Sequence, residues 1–107
     1  MSAREYQHVF KRSQRSSDSY LTVLARNNSS GCSRLGLAIT KKRIKTAVQR
    51  NRLKRLARES FRQHQEVLKD IDVIVLAKRD TSAVANQVLF NSLKNHWQRL
   101  SRLCKKS

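Results

Sequence analysis

The sequence predicts one small α+β domain with its elements in the order α-β-β-α-β-α. Three observations lead there. Apolar residues recur at helical spacing over residues 46–65 and again over residues 87–103. Residues 71–77 make an apolar run of strand length, and residues 20–25 and 35–40 have strand character. With 107 residues and 38% hydrophobic content, the chain can build a single economical core and little more.

Each element has its own signal. Ser2-Ala3-Arg4-Glu5 has capping-box spacing, and Tyr6, Val9 and Phe10 follow at i, i+3, i+4, which predicts a short helix over residues 3–12. Residues 15–19 are polar and small, fit for a loop or a short edge strand. Tyr20 to Ala25 reads as a strand, Asn27 to Gly31 as a turn and Leu35 to Thr40 as a second strand, so residues 20–40 suggest a hairpin with a wide loop. The helix over residues 46–65 places Leu53, Leu56, Ala57 and Phe61 on one arc, and Arg50, Lys54, Arg58 and Arg62 recur every four residues on the other side. The run 71–77 suits a strand buried on both faces, and Asp80 to Asn86 a loop rich in caps. In the last helix Leu89, Leu93, Trp97, Leu100 and Leu103 or Cys104 point inward. With no proline, repeat or linker, residues 1–107 are expected to form one domain.

Charge is the strongest pointer to function. Twenty-four Lys and Arg face seven Asp and Glu, a net +17, so most cations lack an internal partner. Such a chain repels itself unless a polyanion neutralises it, and released counterions make nucleic acid the natural partner. No apolar run approaches the ~20 residues that span a bilayer. Residues 1–13 carry charge throughout and lack the apolar stretch of a secretion signal, so a cytoplasmic location with reduced Cys32 and Cys104 is expected.

The cations concentrate. Between Lys41 and Arg62 stand ten basic residues and one acid, Glu59. Lys41, Lys42 and Arg43 leave a strand end, Lys45 follows, and Arg50, Asn51 and Arg52 open the next helix. A short connection brings these side chains onto one ridge, beside helix N–H groups that also attract phosphate. Lys54, Arg55, Arg58 and Arg62 extend the ridge. Asn51 offers a donor and an acceptor, so it can fix a base edge or a neighbouring guanidinium. A solvated helix would normally interleave Glu for i, i+4 pairing. Here like charges are stacked, which favours RNA contact over a merely hydrated face.

Lys41-Lys42-Arg43-Ile44 followed by Ala47-Val48-Gln49-Arg50-Asn51-Arg52-Leu53-Lys54-Arg55-Leu56-Ala57-Arg58-Glu59-Ser60-Phe61-Arg62 resembles the signature of the protein subunit of bacterial ribonuclease P. Tyr6 to Phe10, Arg34 to Leu37 and Asp72 to Lys78 resemble further segments of that family. Ser13 and Lys45-Thr46 depart from it where glycine is common. The resemblance implies an α/β sandwich with a small mixed sheet and a left-handed βαβ crossover, although handedness does not follow from the residues. It also implies a noncatalytic subunit, a monomer within a ribonucleoprotein. Its ridge would face a catalytic RNA that uses Mg²⁺ to cleave the 5′ leader from precursor tRNA. Tyr6, Phe10, Arg12, Tyr20, Thr22 and Leu24 would form a cleft for the leader, where aromatic stacking tolerates many sequences. Tyr6 and Phe10 could equally pin the first helix to the core.

No catalytic or metal-binding set is expected in the protein itself. His8, His64 and His96 stand apart, and Asp70 and Asp72, the acids closest to a convergent pair, precede a buried strand and read as the end of a turn. Two rivals remain: a ribosomal RNA-binding protein, which needs no leader cleft, and a self-sufficient nuclease.

Overall fold

A computed structural model describes residues 13–28 and 31–106. The expected helix over residues 3–12, with Tyr6, Phe10 and Arg12, lies outside the described residues. The elements are β1 (Gln14–Ser17), β2 (Leu21–Asn27), β3 (Arg34–Ala38), α1 (Ala47–Gln63), β4 (Ile71–Ala77) and α2 (Asn86–Lys106). The polar stretch after residue 13 is thus an edge strand.

The sheet order is β1-β2-β4-β3, with β1–β2 and β2–β4 antiparallel and β3–β4 parallel. This corrects the expected hairpin over residues 20–40, because β4 is inserted between β2 and β3. The reason is burial. From Ile71 to Val75 every residue of β4 is buried, and only a central strand can be covered on both faces. The hairpin in this fold joins β1 to β2, across a bend where the Asp18 carboxylate accepts from the N–H groups of Tyr20 (2.8 Å) and Leu21 (2.9 Å).

Strand β2 alternates strictly, with Leu21, Val23 and Ala25 buried and Thr22 and Leu24 half-buried. Register places Val75, Val73 and Ala77 of β4 on the same side as the buried set. On that side lie both helices. From α1 come Leu53, Leu56, Ala57 and Phe61; from α2 come Leu89, Leu93, Trp97, Leu100 and Cys104. Trp97 is fully buried, meets Phe61 edge-to-face at 6.0 Å, and donates its indole N–H to Ser60 Oγ at 2.8 Å. The inward residues of both helices match the sequence periodicity. Helix α1 starts one residue later than expected because Thr46 is its N-cap, its Oγ1 accepting from Gln49 N–H. Among the described residues, no helix is long and apolar enough to cross a membrane.

Candidate nucleic-acid interface

The basic connection from β3 to α1 is held at both ends by apolar anchors. Ile39 and Ile44 are buried, and between them a tight turn closes with Ile44 N–H donating to Thr40 C=O at 3.0 Å. The turn pushes Lys41, Lys42 and Arg43 into solvent, with Lys45 exposed just beyond. Arg50 reaches back and donates to the carbonyls of Ile44 (3.0 Å) and Lys45 (2.9 Å), fastening the turn to the helix. No acid stands in the first turn of α1, so its positive end is uncompensated.

Along α1 the cations separate into three sets. Steps of four residues drift about 40° around a helix, so the series from Arg50 to Arg62 spirals instead of forming one row. Arg50 and Lys54 are half-buried on one flank, whereas Arg58 and Arg62 are exposed on the outer face with Asn51 and Arg55. Asn51, Arg55, Arg58, Glu59 and Arg62 line a shallow groove of about 450 Å³. Glu59 pairs with Arg62 at 2.6 Å, and that hydrogen bond holds its carboxyl below the ordinary range. Arg52, on the opposite flank, is drawn into the fold. It donates to Asn86 Oδ1 at 2.8 Å, to the Thr81 carbonyl at 3.1 Å and to the Val84 carbonyl, and so clamps the loop before α2. Sequence spacing alone could not separate this structural guanidinium from its outward neighbours.

The sheet face away from the helices carries a second feature. A depression of about 630 Å³ has Thr22, Leu24, Ala38 and Leu76 in its floor and Arg15, Arg43 and Lys78 among its lining residues. Of the residues expected in a cleft floor, Thr22 and Leu24 line this depression, whereas Tyr20, half-buried just before β2, packs against the core and accepts from Lys78 N–H through its carbonyl at 2.9 Å. Arg15 and Lys78 were missed. The register Arg15↔Leu24 and Thr22↔Leu76 brings distant segments to one face, and the sequence shows no pairing. Arg43 belongs to both features, since it stands on the basic turn and also borders the depression.

Asp18, Asp70, Asp72 and His96 are engaged away from these two surfaces. Asp72, buried in β4, receives Arg34 Nε at 2.8 Å and Nη2 at 2.6 Å, together with the Asn28 amide at 2.7 Å. Asp70 adopts a positive φ of 65° and accepts from Gly31 N–H. Asp18 receives Ser92 Oγ–H; burial pushes its carboxyl up, but the Ser92 and backbone N–H bonds prevail and hold it below 3.8. His96 is buried, with Nδ1 2.6 Å from Ser16 Oγ and Nε2 3.1 Å from Asp18 Oδ2. His64 closes α1, its Nδ1 2.7 Å from the Ser60 carbonyl. Cys104 lies in the core, where burial raises its thiol pKa, and Cys32 is exposed. Among the described residues no three of His, Cys, Asp and Glu converge as metal ligands.

The same pattern recurs in known proteins. A family model described as Ribonuclease P matches residues 1–101. The ribonuclease P protein component of Vibrio cholerae is 50% identical over 97 residues, covering 91% of this chain and 82% of that protein. That of Methylococcus capsulatus is 51% identical over 100 residues, covering 94% and 78%. Among solved structures, the RNase P protein from Thermotoga maritima superposes with a TM-score of 0.80 at 32% identity, over 90% of this chain and 91% of the other. The Staphylococcus aureus protein gives 0.84 at 27% identity, over 97% and 94%. Sequence signature, cationic turn and helix, and mixed four-stranded sheet agree: the chain belongs to the ribonuclease P protein family.

Proposed function

We propose that this chain, the protein component of a ribonuclease with an RNA partner, uses its two cationic surfaces for two different RNAs. The outer face of α1 and the turn before it bind the phosphates of the catalytic RNA. The depression on the open sheet face holds the single-stranded 5′ leader of precursor tRNA. The observation that carries this reading is the position of Arg43, which borders both surfaces. A cation there lowers the repulsion between two polyanions that must lie side by side.

The division of labour follows from the residues. Arg55, Arg58 and Arg62 present guanidinium forks that suit phosphate oxygens, while Asn51 between them can orient a fork or meet a base edge. The depression pairs a half-apolar floor with cations, a combination that grips backbone and base faces of an unpaired strand without reading its sequence. The RNA partner performs the Mg²⁺-dependent hydrolysis. The protein supplies affinity for the substrate and acts as a cytoplasmic monomer within the complex.

Reconstitution tests this. With the catalytic RNA at low salt, adding the chain should strengthen binding of leader-bearing precursor tRNA far more than of mature tRNA. An equal gain for both would favour a general RNA-binding protein. Cleavage by the chain and Mg²⁺ without RNA would favour a self-sufficient nuclease.

A further inference from the structure

The two helices enclose a groove that the proposed function leaves unused. It has a volume of about 300 Å³ and lies between the second half of α1 and the first half of α2, with Ser60, Gln63, Gln87, Phe90, Asn91 and Lys94 among its lining residues. Phe90 is half-buried, one side against the core and the rest toward the groove. Gln87 donates an amide N–H to Asn91 Oδ1 at 3.1 Å. That bond leaves the Gln87 carbonyl oxygen as an acceptor and the Asn91 amide N–H groups as donors. Lys94 is exposed at the rim.

We infer that this groove is a third RNA site, which receives an unpaired nucleotide of the strand bound on the outer face of α1. The inference rests on the proposal that α1 binds RNA. Three observations select that occupant. The first is chemical. An aromatic ring beside amide donors and acceptors, with a cation at the rim, is the set that stacks a base, reads its edge and holds its phosphate. A protein partner would call for an apolar patch, and this groove offers mainly amides, the His64 imidazole and a cation around one half-buried Phe90.

The second is continuity. Gln63 donates to Glu59 Oε1 at 3.3 Å, so one wall of this groove is joined to the groove of Arg55, Arg58 and Arg62. A strand following those arginines needs only to turn one base over the Glu59–Gln63 ridge. The third is charge. Helix α2 contains no Asp or Glu. Lys94, Gln98, Arg102 and Lys105, spaced four, four and three residues apart, are all exposed and continue a row that starts at Gln87 and Asn91. A polyanion leaving the groove therefore meets Lys94, Arg102 and Lys105 along the rest of the helix.

The test uses the intact chain and its catalytic RNA, with binding measured over a salt series. Phe90→Leu keeps an apolar side chain on the core and removes the stacking face, and should weaken binding about three- to tenfold. Lys94→Gln should weaken it as well and lower the slope of log K against log salt by about one. A photo-crosslinking side chain at position 91 should attach to an unpaired nucleotide. Arg58→Ala separates the two readings. If it weakens binding while both groove variants bind like wild type, the groove inference fails alone. If none of the three variants weakens binding, the assignment of RNA to α1 fails with it. A crosslink confined to paired RNA, or a Phe90→Leu loss matched by a lower Tm with Lys94→Gln unchanged, would also overturn the groove site.

Discussion

Arg34 and Asp72 meet through two parallel hydrogen bonds of 2.8 and 2.6 Å, joining the first residue of β3 to the second of β4. The Asp72 side chain is 5% exposed and the Arg34 side chain 42%, so the pair is an anchored carboxylate under a half-exposed guanidinium. This bond defines the parallel register of the sheet edge, with Arg34 opposite Asp72. Arg34→Met removes the main counter-charge of a buried carboxylate. It should destabilise the protein by about 2 kcal/mol, less than a fully buried pair would lose. Urea unfolding measures it, and an Asp72→Leu change on top of Arg34→Met should recover part of the loss.

Arg52 and Arg58 sit six residues apart in opposite surroundings, one drawn into the fold and the other exposed. Arg52→Ala leaves the Thr81 and Val84 carbonyls without their guanidinium donor, and should cost about 1–3 kcal/mol of stability. Arg58→Ala should change thermal stability by less than about 0.5 kcal/mol, because the side chain is exposed. It should instead weaken assembly with the RNA and lower the salt slope by about one. Unfolding curves and RNA titrations of both variants, run side by side, check the contrast.

The depression on the open sheet face makes a separate prediction. Lys78→Ala should reduce affinity for leader-bearing precursor tRNA while leaving mature tRNA within about twofold, since only the leader would reach this face. Arg43→Ala should affect both the precursor and assembly with the catalytic RNA. Competition binding with leaders of increasing length resolves the two.

Stability should turn downward on mild acidification. Burial holds His96 below its ordinary 6.5, with Asp18 partly offsetting the effect. The unfolded chain therefore takes up a proton at higher pH than the folded one. The His96 contribution is complete above about pH 6.5 and declines as pH falls toward the lowered folded value. Asp18, held below 3.8, adds a second loss that begins only at lower pH. Melting temperatures between pH 8 and pH 3 should show both phases, and His96→Gln should remove the first.

Helix faces were legible in the sequence because burial imposes a 3.6-residue period that composition displays directly. Leu53, Leu56 and Phe61 needed no partner to reveal their side, and neither did Leu93 and Trp97. Strand β4 was legible from its run of residues, apolar except for the paired Asp72 and buried without a break from Ile71 to Val75. Its neighbours were not, because pairing is decided by contacts across fifty residues, as between Leu24 and Ile74. The cations were legible as a group but not by role. Whether a guanidinium meets carbonyls or solvent depends on where a loop passes, as Arg52 shows at Thr81.

Placing β4 between β2 and β3 has a consequence during synthesis. The sheet has no centre until residues 71–77 have left the ribosome, and the cationic segment 41–62 emerges before them. For that interval the nascent chain carries ten basic side chains with no completed core beneath them. Any nearby polyanion can engage that segment early and hold it until β4 slots into place. The order of strands along the chain thus leaves the cationic segment open to polyanions before the core beneath it exists.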